Sequence, residues 1–302
     1  MIRALLIAGP TASGKSAVAL KLAKRFEATI VNADAMQVYA DLRTLTARPS
    51  EAEERLAPHR LFGDVDGAEN FSAGRWLARA REILAEAGES APLIFVGGTG
   101  LYFRALVEGL SDIPRVPEAV RAKVRSEAEG APTPALHARL AACDPLTAAR
   151  LRPSDRQRVL RALEVVVATG RPLAAFQGAR EAPALPTGAW AGLFLAPERG
   201  ALYARIESRF DEMLAEGALD EVKTLAARKL DPALPVMRAH GVRQLAAHLD
   251  GRLSLAEARM LAVRDSRRYA KRQFTWARHQ MPDFVWVAPE AAEAAGAAVL
   301  GA

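Results

Sequence analysis

Ala4-Leu5-Leu6-Ile7-Ala8-Gly9-Pro10-Thr11-Ala12-Ser13-Gly14-Lys15-Ser16 is the stretch whose reading decides the fold. Residues 4–8 form a continuous apolar run closed by glycine, which suits a strand buried on both faces of a parallel sheet. Residues 9–16 fit the pattern GxxxxGK[ST]. Over residues 16–26, Val18, Leu22 and Phe26 then recur at helical spacing, with Lys21, Lys24 and Arg25 on the opposite side. Strand, glycine-rich turn and helix are the setting in which this pattern binds phosphate. Gly9, Pro10, Thr11, Ala12, Ser13 and Gly14 fold the backbone around phosphate oxygens with N–H groups inward. The helix N-terminus adds partial positive charge, and Lys15 neutralises the outer phosphate. Ser16 supplies an oxygen for Mg²⁺.

Working outward, residues 29–31 and 93–96 read as further buried strands, with a helical stretch over 73–87 between them. Alternation of this kind predicts an α/β fold: a P-loop NTPase-like parallel sheet flanked by helices. Beyond Gly109 the pattern changes. Pro114, Pro117, Pro132, Pro134, Pro145 and Pro153 punctuate short helical stretches rich in Ala and Arg. Residues 114–186 are therefore a helical insertion domain, and residues 1–113 with 187–302 form the core domain. A strand returns at 191–195, helices follow over 202–230 and 255–278, and 284–287 is a last short strand. The Ala-rich tail after Pro289 reads as a loosely held helix or coil.

Half of the 302 residues are hydrophobic and a quarter are charged, the balance of a soluble globular protein. The apolar run near Met1 is too short for a signal peptide, and no stretch approaches the roughly 20 apolar residues of a membrane span. A cytoplasmic location is expected. Cys143 is the one cysteine, which excludes an internal disulfide and a cysteine-based zinc site. The five histidines show no metal-ligand spacing. A formal charge of +6 points to an anionic partner.

The phosphate compound is the open question. An NTPase carries an acid at the end of a second apolar strand to hold Mg²⁺. Here Leu93-Ile94-Phe95-Val96 runs instead into Gly97-Gly98-Thr99-Gly100. An acid stands after the second strand, as Asp34 in Asn32-Ala33-Asp34-Ala35-Met36-Gln37. Parallel topology brings it near the phosphate loop. It can activate a nucleophile or help hold the metal.

These residues resemble the tRNA dimethylallyltransferase (tRNA isopentenyltransferase) family. GPTASGKS resembles its phosphate loop, and Asp34 to Gln37 its DxxQ motif. Thr46-Ala47-Arg48-Pro49, Pro58-His59-Arg60-Leu61 and Val96-Gly97-Gly98-Thr99-Gly100-Leu101-Tyr102 are similar to family segments in the same order. So are Asp155 to Val165, Arg205-Ile206-Glu207-Ser208-Arg209-Phe210 and Lys271-Arg272-Gln273-Phe274-Thr275-Trp276. The resemblance spans nearly the whole chain.

It implies that the loop holds the diphosphate of dimethylallyl diphosphate rather than a nucleotide. It implies that Asp34 is the base that takes a proton from adenine N6 at position 37, 3′ of the anticodon. Lys15, Ser16 with Mg²⁺, Thr99 and Arg209 would then support the departing diphosphate. By the same resemblance, Asp34, Ala35, Met36, Gln37 and Thr99 touch the extruded adenine and its neighbours. Gln37 is able to donate and accept on a base edge. Arg121, Gln157, Arg158, Val159, Leu160, Arg161, Arg238 and Arg243 match tRNA-contact positions for the anticodon stem-loop. Family habit implies a monomer.

Two segments concentrate basic charge. In residues 264–279, Arg264, Arg268, Lys271 and Arg272 can share a helical face, with Tyr269, Phe274 and Trp276 interleaved. In residues 157–163, Val159, Leu160 and Leu163 face a core while Arg158 and Arg161 project together. The sequence also departs from the family pattern. Ala35 replaces a usual Ser, Val242 a usual Tyr, and Arg43 and Leu45 break a usual Asp-Ile-Gly run. Three other readings remain: a small-molecule kinase using ATP, an adenylate isopentenyltransferase acting on a free nucleotide, and a non-catalytic RNA-binding switch.

Overall fold

The computed structural model describes residues 2–88, 91–178 and 180–301. Strand β1, Ala4–Ala8, is buried along its whole length and passes through residues 9–14 into helix α1, Lys15–Phe26. Strand β2, Thr29–Asn32, follows, then the short helix α2, Glu51–Glu54, which Ser50 and Glu53 close with a capping box. Strand β3 is only His59–Arg60, too short for sequence periodicity to show. Helix α3, Ala73–Ala87, strand β4, Leu93–Gly97, and helix α4, Gly100–Glu108, complete the first half of the core.

The insertion holds helices α5, Glu118–Glu127, α6, Thr133–Cys143, α7, Pro145–Arg150, and α8, Arg156–Thr169. It forms its own compact unit over residues 108–182, against the 114–186 read from the prolines. Gly109 closes its neck. The residue has φ +74°, and a Cβ there would lie 2.0 Å from the Glu181 carbonyl oxygen. Glu181 N–H donates to Leu110 O beside it at 2.9 Å. Val124, Leu136, Leu140, Val159, Ala162 and Leu163 make a separate hydrophobic core inside this unit.

The chain then returns as strand β5, Trp190–Leu195, followed by helices α9, Arg199–Ala215, α10, Ala218–Ala227, α11, Val242–Leu249, and α12, Leu255–Gln280. The helical stretch expected over 202–230 is thus two helices. Gly217, at φ +96°, breaks it. Strand β6, Phe284–Val287, and helix α13, Ala292–Leu300, end the described chain.

The six strands form one parallel sheet in the order β3-β2-β4-β1-β5-β6. The P-loop NTPase-like α/β reading holds. Leu5, Ile7, Leu22, Ile30, Ile94 and Leu193 pack one face of the sheet against α1. The tail corrects the expectation of a loosely held segment. Ala292 is fully buried, and a Cβ at Gly296 would meet Leu22 Cδ1 at 2.5 Å and Leu5 Cδ2 at 3.2 Å. Small residues let α13 lie directly on α1 and β1, so its Ala-rich composition reflects close packing. Among the described residues, no helix is long and apolar enough to cross a membrane.

Candidate active site

The sheet order decides what lies beside the phosphate loop. β4 sits between β1 and β2, so Gly97-Gly98-Thr99 at its carboxyl end stands between residues 9–16 and Asp34. Neighbouring strands lie about 4.8 Å apart, which sets β1 and β2 about 10 Å apart across β4.

The strand-end acid of an NTPase has no room here. A Cβ at Gly97 would lie 2.1 Å from the backbone carbonyl of Ala33. At Gly98 it would lie 2.3 Å from Gln273 Nε2 and 3.2 Å from Asp34 Oδ2, and at Gly100 2.1 Å from the Trp276 ring. Each glycine is required by a close approach rather than by its dihedrals, since none of the three has positive φ.

In the loop, Gly14 takes φ +89° at the N-cap of α1, and Ser13 N–H donates to Pro10 O at 3.2 Å. Ser13 is fully buried, and its hydroxyl has no hydrogen-bond partner among the described residues. Lys15 Nζ donates to Pro10 O at 3.2 Å. Burial lowers the Lys15 pKa to about 8; Asp34 acts to raise it and Arg209 to lower it further. Ser16 is exposed in the first turn of α1.

Asp34 is held by an Asx-type turn. Asn32, fully buried, accepts from Asp34 N–H at 2.8 Å, and its amide donates to Asp34 O and Leu61 O. Asp34 Oδ1 accepts from Met36 N–H at 3.0 Å. Thr99 Oγ1 accepts from Ala35 N–H at 2.9 Å and hydrogen-bonds the Tyr269 hydroxyl. Burial pushes the Tyr269 hydroxyl pKa well up, with Asp34 adding to the shift. The His240 ring packs tilted against that ring, centroids 4.6 Å apart at 45°, and burial, then Arg272, lower its pKa. Arg209, half-buried on α9, has its pKa lowered by burial and supported by Asp34. Lys15, Asp34, Thr99 and Arg209 therefore fall in one electrostatic neighbourhood.

Gln37 departs from the expected base-edge role. Its amide nitrogen donates to Thr46 O at 2.9 Å and Ala47 O at 2.8 Å, so both donors brace the following loop. Only its carbonyl oxygen is left for a base. The same loop is anchored from α10, where Glu221 accepts from Arg43, Thr44 and Leu45 N–H groups. Arg238 and Arg243 are exposed around α11.

A residue that sequence reasoning gave no role ties the site together. Gln273 on α12 is buried; its Oε1 accepts from Thr11 N–H at 3.0 Å, and its Nε2 donates to Gly98 O at 2.9 Å. Its only sequence signal was its place in the family-like segment 271–276. Beside it opens a cavity of about 170 Å³ with apolar walls from Phe103, Phe194, Trp276 and Met281, reaching Gly9 and Gly98. On α12, Arg264, Arg268, Lys271 and Arg272 are exposed as the helical spacing required.

In the insertion, Gln157 and Arg158 are exposed, Val159 is buried and Leu160 is partly buried. Arg161 does not project with Arg158. It is half-buried and lies 3.9 Å from Glu164, as does Arg121 at 3.7 Å. A carboxylate one turn along α8 draws Arg161 inward.

A phosphate-loop motif, a carboxylate two strands away and an apolar cavity against Gly9 and Gly97–Gly100 define a P-loop fold with an apolar pocket at the carboxyl ends of its strands. The IPP transferase family model matches residues 37–280, and an isopentenyl transferase model matches residues 2–66. The chain belongs to the IPP transferase family and is a transferase. The tRNA dimethylallyltransferase of Methylocella silvestris is 62% identical over 292 residues, covering 96% of both chains. That of Beijerinckia indica is 60% identical with the same coverage. The full-length tRNA isopentenylpyrophosphate transferase of Bacillus halodurans superposes with TM-score 0.69 at 32% identity, over 100% of this chain and 96% of that one. A eukaryotic dimethylallyltransferase acting on tRNA superposes with TM-score 0.80 at 25% identity, over 99% of this chain and 78% of that one.

Proposed function

We propose that the chain transfers the dimethylallyl group of dimethylallyl diphosphate to N6 of the adenosine 3′ of the tRNA anticodon, position 37, releasing diphosphate. Family membership and relatives near 60% identity support dimethylallyl transfer to tRNA. The observation that carries the chemistry is the placement of Gly97-Gly98 between phosphate loop and Asp34, where a nucleotide-hydrolysing enzyme needs its metal-binding acid.

In this reading the apolar cavity takes the dimethylallyl tail, and removal of that surface from water favours binding at about 25 cal/mol per Å². The adenine is extruded from the RNA stack at a cost of a few kcal/mol. N6 attacks the allylic C1 as the C1–O bond to diphosphate breaks, and the bonding pair leaves with the phosphate oxygen. Asp34 takes the N6 proton. Loop N–H groups, Lys15 and Arg209 meet the charge that develops on the diphosphate. Thr99, fixed by Ala35 N–H and Tyr269, offers its hydroxyl to the reacting centre.

Mg²⁺ fits the residues present. Ser16 exposes a hydroxyl at the head of α1, and a magnesium ion commonly uses one or two protein ligands with substrate phosphates and water. Bound there, it would supply charge neutralisation of the diphosphate. Action on tRNA fits a cytoplasmic monomer.

The test is incubation with Mg²⁺, dimethylallyl diphosphate and unmodified tRNA, followed by mass spectrometry of the nucleosides. A five-carbon addition on one adenosine is expected. Unmodified tRNA together with ATP turnover would instead favour the kinase reading.

A further inference from the structure

Glu164 on α8 is a buried carboxylate, its side chain 4% exposed, and three arginines converge on it. Arg125 Nε donates to its Oε1 at 3.2 Å. Arg121 Nε lies 3.7 Å and Arg161 Nη1 3.9 Å from its Oε2. Arg121 and Arg125 stand one turn apart on α5, which packs on α8. Among the described residues, the one other acid on this group is Glu118, 74% exposed, which accepts from Arg121 Nη1 at 2.9 Å.

The arrangement is over-supplied with cations. Glu164 sits inside the insertion's own core, beside Val159, Leu163 and Val165, where a lone carboxylate is costly unless paired. One arginine would satisfy it. With Glu118 paired to Arg121 at the surface, three guanidiniums face two carboxylates, which leaves an excess of one positive charge. Burial lowers the pKa of the Arg161 guanidinium, Glu164 counters that shift, and the Arg121 cation adds to it. Arg121 Nε is itself buried and has no hydrogen-bond partner among the described residues. The remaining positive charge suits a further anion, and phosphodiester oxygens match the planar donor face of arginine.

We propose that Glu164 is a positioning residue for tRNA. It does not touch RNA; it holds Arg121, Arg125 and Arg161 as a rigid fan that receives backbone phosphates. Phosphate contacts of this kind fix register without reading sequence. This inference rests on the tRNA reading above, and it assigns to a buried acid a role in binding a polyanion.

The sign of the effect makes the inference testable. By net charge alone, Glu164→Gln removes a negative charge and should tighten RNA binding. If Glu164 positions the arginines, the same change loosens the fan and weakens binding by about tenfold, as loss of a charge-assisted contact would. The experiment measures tRNA affinity and kcat and KM for both substrates across a salt series, with circular dichroism as the check on folding. Glu164→Gln should raise KM for tRNA and flatten the slope of log affinity against log salt by about one contact. The KM for dimethylallyl diphosphate should stay within about twofold, and Glu164→Asp should recover part of the loss. Should Glu164→Gln unfold the insertion, Arg125→Lys is the second variant: it keeps the charge but removes the planar fork, and weaker tRNA binding is expected. Unchanged or tighter tRNA binding by a folded Glu164→Gln, or by Arg125→Lys, overturns the positioning role. Full tRNA affinity in a folded Arg121→Met would also overturn the proposal, since this face would then not meet RNA, while five-carbon addition to tRNA would still uphold the proposed function.

Discussion

The side-chain oxygen of Gln273 accepts a hydrogen bond from the backbone N–H of Thr11 at 3.0 Å, joining the end of the chain's longest helix to its phosphate loop. Through its nitrogen the same amide holds Gly98 O at 2.9 Å. The phosphate-loop motif and the end of β4 are thus fixed to each other by one buried side chain. Gln273→Leu leaves both backbone groups unpaired, at about 1–3 kcal/mol each. The expected outcome is a lower melting temperature and a loss in kcat/KM for dimethylallyl diphosphate that exceeds the loss in tRNA affinity. Unchanged kinetics would mean that the loop keeps its shape alone.

Gly97 and Gly98 separate stability from catalysis. A methyl on Gly97 runs into the Ala33 backbone, which cannot move without parting β2 from β4. Gly97→Ala should therefore cost about 3 kcal/mol or more in urea unfolding. A methyl on Gly98 meets the movable Gln273 amide and the Asp34 carboxylate. Gly98→Ala should stay folded and lose most of its turnover. Equal unfolding midpoints for the two variants would contradict the geometry.

Lys15 sets the alkaline limb of the pH profile. Its pKa near 8 in the free protein means that the ammonium is lost as pH rises through about 8. Under the proposed function, the protonated form is the one that meets diphosphate. The kcat/KM for dimethylallyl diphosphate should thus be level below that pH and fall above it by about tenfold per unit. Lys15→Arg should move the limb to higher pH. A limb that stays in place in this variant would assign it to another group.

Helix α13 is part of the core. Gly296→Val places a branched side chain where Leu22 Cδ1 already stands, 2.5 Å from the Cβ position. Overpacking of this kind costs about 1–3 kcal/mol, to be read as a lower thermal midpoint with kcat little changed. An unaltered midpoint would return the tail to the loosely held state that its composition suggested.

Five of the six strands were legible because each is an apolar run bounded by a turn; β3 was not, since two residues carry no period. The phosphate loop and the acid after β2 were legible because their chemistry requires particular residue types at fixed spacing. Gln273 was hidden by distance: its partners Thr11 and Gly98 lie far away in sequence, and a glutamine inside a basic helix looks like a solvated face. Gln37's commitment to Thr46 and Ala47, 9 and 10 residues on, was hidden by the irregular turn between them, which carries no periodicity. Alanine in α13 misled because small side chains serve close packing and loose coil alike, and only the contact with Leu22 distinguishes them.

The central claim is that Asp34 takes the N6 proton while the loop beyond Gly98 holds the leaving diphosphate. Single-turnover rates of Asp34→Asn, with tRNA and dimethylallyl diphosphate both saturating, test it most directly. The amide keeps the Asn32 and Met36 hydrogen-bond geometry but is not a base. The expected result is a rate at least about a hundredfold lower with tRNA affinity little changed. A rate close to that of the unaltered protein would contradict the claim and remove Asp34 from the chemistry.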